Sequence, residues 1–123
     1  MPKFSKLYPI LFFGLFLALG LLVVDDYGIS WDESIQRRHG RVSIDYAAEK
    51  LGMKDHIRLE PEWHLEDYQW SNYGMIYQIT ANLLEQKLGW ENDKYRFYKL
   101  RHIMNFLLLW LAMIYFYRTL LLR

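Results

Sequence analysis

Four carboxylates stand within nine residues, at Asp25, Asp26, Asp32 and Glu33, with Trp31 among them. A carboxylate in such a stretch can take a proton from an incoming hydroxyl or amine, the ordinary work of a general base. The same acids have a plainer use, because Asp32 and Glu33 at the start of a helix match the positive end of its dipole. Spacing alone leaves both uses open. Arg37, Arg38, Arg41, Arg96 and Arg101 offer guanidinium groups whose geometry suits a lipid phosphate or diphosphate, or else a solvated face. Trp63, Tyr68, Trp70 and Tyr73 could stack on a sugar, or anchor at an interface and pack within the loop. His39, His56, His64 and His102 show no metal-binding spacing. There is no glycine-rich phosphate loop and no serine-nucleophile motif. Neither a metal nor a cofactor is expected.

The elements that must position these groups follow from where the apolar residues lie. Hydrophobic residues make up 53% of the 123-residue chain and aromatic residues 18%, yet the mean hydropathy is −0.10. The apolar residues are therefore gathered into blocks around a polar region. Leu7–Val24 runs 18 residues without a charge, and 13 of them are Leu, Ile, Phe or Val. As a helix it reaches about 27 Å, close to the hydrocarbon thickness of a bilayer. Its insertion is favoured by roughly 4–8 kcal/mol. A cleavable signal is the rival, with Ala18-Leu19-Gly20 as the cut, but apolar residues continue beyond it. A second apolar run, Ile103–Tyr117, lies between Arg101 and Arg118, and Leu120–Leu122 extend it. It is shorter and contains Asn105, which prefers a protein neighbour to lipid. A helix in a soluble core is the alternative for this run.

Between the runs, Asp25–Arg101 carries all 14 acids and 11 of the 15 bases, a net charge of −3. Each charge at a bilayer centre costs about 2.5–3.5 kcal/mol, so this region is aqueous. Ser30 and Glu33 have capping-box spacing, which predicts a helix from Trp31. Ile35, His39, Val42, Tyr46 and Leu51 continue it to a stop at Gly52. Met53–Ser71 has no clean period and contains Pro61, so it reads as an irregular connection. Tyr73–Leu88 is predicted helical, with Ile76, Ile79, Leu83 and Leu88 as its apolar stripe and Gly89 as its stop. Asn92 is expected to cap the last helix, with Asp93 in the first turn.

The expected architecture is an all-α membrane protein. It has a cytoplasmic N-terminus at 1–6, a transmembrane helix at 7–24, a long helix-containing exoplasmic loop at 25–101, a second transmembrane helix at 102–120, and a cytoplasmic end at 121–123. The orientation comes from Lys3, Lys6, Arg118 and Arg123 on the short flanks, which the positive-inside rule places in the cytoplasm. Membrane lipid is the expected neighbour, and other membrane subunits are possible partners. A net charge of +1 offers a nucleic acid no electrostatic footprint. The absence of cysteine removes disulfide and thiolate chemistry without naming a compartment.

Three stretches together resemble the start of GT-C type polytopic glycosyltransferases, such as protein O-mannosyltransferases and aminoarabinose transferases. They are YGISWDESIQRRHG at Tyr27–Gly40, the Tyr73-Gly74 pair, and RHIMNFLLLWLAMIYFYRTL at Arg101–Leu120. The resemblance implies a bacterial inner-membrane enzyme that uses a polyprenyl-phosphate-linked sugar on the periplasmic or extracellular side. It implies helices lying along the membrane in the first exoplasmic loop. It places the catalytic base at Asp32, with Glu33 as its companion; lipid-phosphate or substrate contacts at Arg37, Arg38 and Tyr73 are expected from the chemistry of those side chains. Members of the family have many more spans, so the likeness covers only their beginning and implies a truncated fragment that is inactive alone. Two other readings compete: a small two-span protein whose loop binds a partner, and an exported soluble domain left after signal cleavage.

Overall fold

The computed structural model describes residues 7–57, 64–69 and 76–122. Among these the chain forms four α-helices and three short 3-10 turns, with no strand. The helices are α1 (Leu7–Val23), α2 (Glu33–Lys50), α3 (Ile76–Leu88) and α4 (Lys94–Leu121). The turns are Val24–Asp26, Lys54–His56 and Leu65–Asp67. The chain divides into two compact units, Met1–Gly28 with Tyr98–Arg123, and Ile29–Phe97.

In the first unit α1 and α4 run antiparallel. The contacts pair early α1 with late α4 and late α1 with early α4: Phe13 meets Tyr117 with ring centroids 5.7 Å apart, and Phe16 meets Phe106 at 5.6 Å. The Trp110 indole N–H donates to the Phe13 carbonyl at 2.9 Å, which satisfies a donor that hydrocarbon would leave stranded. Gly20 is buried because the Phe106 ring lies directly on it. Below the last turn of α1, Lys99 pairs with Asp25 at 2.6 Å. Leu7–Asp26 and Lys94–Leu121 are both long and apolar enough to cross a membrane, and only 6% of each apolar window is buried. A helix in a soluble core would bury most of such a window, so α4 is not packed as that alternative requires. Asn105 is exposed on α4 rather than covered by α1.

The second unit is built on α2 packed against α3. Gly40 makes the close crossing possible: a Cβ there would lie 2.7 Å from the backbone carbon and oxygen of Gln78, and would also strike the Asn82 amide. Val42, Ile44, Ala48, Ala81 and Phe97 are buried around this crossing. Both helices of the pair end as expected, on glycines in the left-handed region, Gly52 with φ +66° and Gly89 with φ +68°. The Met53 N–H returns to the Ala48 carbonyl at 2.8 Å, and the Trp90 N–H to the Glu85 carbonyl at 2.9 Å.

Two local expectations are corrected. Helix α2 begins at Glu33 rather than Trp31, because Ser30 does not act as the cap. Its hydroxyl donates to Asp32, and Asp32 becomes the residue preceding the helix. The cap of α4 is Asp93 rather than Asn92, since the Asp93 carboxylate accepts the Arg96 N–H at 3.1 Å. On α3 the packed face is polar, and most of the apolar stripe lies away from it, with Ile79 half-buried. Ile76, Leu83 and Leu88 are 85%, 41% and 46% exposed, whereas Gln78, Asn82 and Glu85 are buried against α2. The reason is that the polar residues find partners across the Gly40 crossing, where there is little room for branched side chains.

Candidate functional site

Asp32 closes the turn that leads into α2. Its carboxylate is gripped from both sides, with the Ser30 hydroxyl donating to Oδ1 and Gln36 Nε2 donating to Oδ2 at 2.8 Å. Gln36 lies one helical turn further on, the spacing at which side chains meet on a helix surface. Gln36 is itself held from α3, because Gln78 Nε2 donates to its Oε1 at 3.1 Å.

These contacts set the charge of Asp32. The Ser30 hydroxyl is the largest cause holding its carboxyl below the usual carboxylate range, and a backbone hydrogen bond at Asp32 adds to it. Partial burial works the other way, and Gln36 contributes a further lowering. Asp32 is therefore ionised at neutral pH. An ionised carboxylate offers about four acceptor directions, of which Ser30, Gln36 and the backbone hydrogen bond use three. A substrate hydroxyl or amine can take another.

Of the residues nominated with Asp32, Glu33 opens α2 beside it and is half-buried. Arg37 and Arg38 part company. Arg37 turns into the α2–α3 crossing, where Nε meets Glu85 at 3.0 Å and the second nitrogen donates to the Glu91 carbonyl at 2.7 Å. Its guanidinium also lies 3.8 Å over the Phe97 ring. It is committed to holding the unit together. Arg38 is exposed and is the arginine of the pair turned to solvent. Arg96 pairs with Asp93 at 3.1 Å and lies over Trp90, and Arg101 is buried in the first unit. Tyr73, Trp63 and Trp70 lie outside the described residues.

Tyr68 is not a sugar platform. Its hydroxyl meets His39 Nδ1 at 2.6 Å in a buried contact, which fastens the Leu65–Asp67 turn to α2. Burial pushes the His39 imidazole below its ordinary pKa, and the nearby Arg38 charge acts in the same direction. Burial raises the Tyr68 phenol, against a smaller opposing effect of Arg38.

A cleft of about 90 Å³ is lined by Asp45, Glu49, Lys50, His64 and Glu66, among others. Asp45 lies thirteen residues beyond Asp32, roughly 20 Å along α2, so this cleft is separate from the Asp32 site. Among the described residues, no three or more His, Asp or Glu side chains are grouped so as to hold a metal ion.

Sequence reasoning nominated Asp32 but missed Gln36 and Gln78. The i, i+4 spacing of Asp32 and Gln36 was a readable signal. Nothing in the chain points to Gln78, 42 residues away from Gln36. No family model matches this chain, and no curated protein or solved structure matches it.

Proposed function

We propose that the chain is the N-terminal part of a membrane glycosyltransferase that transfers a sugar from a polyprenyl-phosphate donor. Its two long apolar helices are the first spans of a bacterial inner-membrane enzyme, with both ends cytoplasmic and the intervening segment periplasmic. Further spans supply the rest of the lipid-phosphate pocket. The observation that carries this proposal is the Asp32 carboxylate, ionised, oriented by Ser30 and Gln36, and with acceptor capacity to spare. Asp32 accepts a hydrogen bond from the acceptor's hydroxyl or amine. As the acceptor atom bonds to the anomeric carbon, the bond from that carbon to the phosphate oxygen breaks and its electron pair leaves with the polyprenyl phosphate. The acceptor proton grows acidic as the new bond forms, so a carboxylate of lowered pKa can still receive it. Arg38 is the exposed cation nearest in sequence for the donor phosphate.

The test is Asp32→Asn in the longest natural form of the protein, assayed in membrane vesicles with a polyprenyl-phosphate sugar. Asparagine is as good as aspartate at the residue preceding a helix, so the fold should persist. Transfer should be abolished with membrane insertion unchanged, and retained transfer would sink the assignment. The commitment of Arg37 to Glu85 and Phe97 favours a second reading, a two-span protein whose loop binds a protein partner without catalysis. A wild-type protein that transfers no sugar but cross-links through this loop to another membrane protein would decide for it.

A further inference from the structure

We infer that Gln78 of α3 is a positioning residue for Asp32, acting through Gln36. The inference rests on Asp32 being the base, and it adds the device that aims it.

Hydrogen-bond chemistry orders the three side chains in one direction. An ionised carboxylate only accepts, so Gln36 must present its NH2 group to Asp32. That leaves the Gln36 carbonyl oxygen facing α3, where it needs a donor. Gln78 supplies one, its NH2 group 3.1 Å away. The charge on Asp32 therefore sets the orientation of both amides. Gln78 is 9% exposed, so it is anchored where Gln36 and Asp32 are more open to solvent. Its own helix is pinned at the same place, since the Asn82 amide donates to the Gln78 carbonyl at 2.7 Å and to the Arg37 carbonyl at 3.2 Å. The close crossing at Gly40 sets the spacing that lets this side chain reach across. The orientation of a carboxylate at the open end of α2 is thus referred to the packed α2–α3 crossing. A lone aspartate in a turn would choose among rotamers, whereas here each oxygen has an assigned donor.

The experiment titrates Asp32 directly in the whole chain, in detergent micelles, by NMR of carboxyl-labelled aspartate, with Asp32→Asn identifying the resonance. Gln36→Met removes the donor at little change in volume and should shift the Asp32 titration upward, toward an ordinary aspartate. Gln78→Met should shift it in the same direction by less, because Gln36 remains but is no longer held. The double variant should titrate like Gln36→Met alone, since Gln78 has no route to Asp32 except through Gln36. Gln78→Met without effect on the titration, or effects of the two variants that add, would overturn the inference. Unchanged helical circular dichroism shows that the packing survives. If Gln78→Met does unfold α3, Gln36→Glu gives the decision. It keeps the length of the side chain but replaces the donor with a second carboxylate, so Asp32 should titrate higher still than in Gln36→Met, and an Asp32 that titrates as in the wild type would refute the contact. None of these readouts needs sugar transfer. Transfer retained in Asp32→Asn beside an intact relay would refute Asp32 as the base, and a wild type that transfers no sugar would refute the glycosyltransferase reading, each independently of the relay.

Discussion

Replacing Gly40 by alanine should separate α2 from α3. The added Cβ meets the Gln78 backbone at 2.7 Å, where an ordinary contact begins at 3.4 Å, so the helices must part by about 0.7 Å. The obstacle is backbone and cannot swing aside. Overpacking of this kind costs about 1–3 kcal/mol. Alanine returns about 0.8–1.0 kcal/mol through its better helix propensity. Displacing Asn82 from one of its two carbonyl acceptors costs about 1 kcal/mol more. The net loss is about 2 kcal/mol, a factor of roughly 30 in the opening equilibrium of the pair. Amide hydrogen exchange of α3, measured on the whole chain in micelles, reads this quantity directly. Gly14→Ala is the comparator, because nothing lies within 4 Å of its Cβ, and it should keep or raise protection in α1. If Gly40→Ala leaves α3 protection unchanged or increases it, propensity outweighs the crossing and the packing argument fails.

Gly20→Leu should push α1 away from α4 by displacing the Phe106 ring, and Phe106→Ala in the same chain should restore the approach. Cross-linking between cysteines placed at Phe13 and Tyr117, whose rings are in contact in the wild type, measures both effects. The His39–Tyr68 contact makes the second unit sensitive to acid. The folded state holds His39 below its ordinary 6.5, so its contribution to stability is fully present above that value and is lost as pH falls through the depressed folded value. His39→Gln should flatten this part of the stability profile, followed by exchange at Tyr68 between pH 7.5 and pH 5. A profile that stays as steep without His39 would assign the acid sensitivity elsewhere.

What could be read along the chain was whatever depends on near neighbours. The two membrane-length helices follow from charge-free apolar runs, and the ends of α2 and α3 follow from Gly52 and Gly89, which can enter the left-handed region at no steric cost. Asp32 stood out because acids cluster beside an apolar run. Even locally, competition between side chains misled: Ser30 and Asn92 have the chemistry of caps, but Asp32 captures the Ser30 hydroxyl and Asp93 captures the Arg96 amide.

Contacts over long separations were decided only by the tertiary structure. Arg37 looked available for a phosphate until α3 brought Glu85, 48 residues away, to its guanidinium. The apolar stripe of α3 was legible as a stripe, but only the Gly40 crossing decided that Gln78, Asn82 and Glu85, and not Ile76, Leu83 and Leu88, lie buried against α2. For the same reason the aim of Asp32 was invisible beforehand. The residue types of the site are written in one short stretch, but the donor that steadies its orientation comes from another helix, and only the packing of that helix brings it within hydrogen-bond reach.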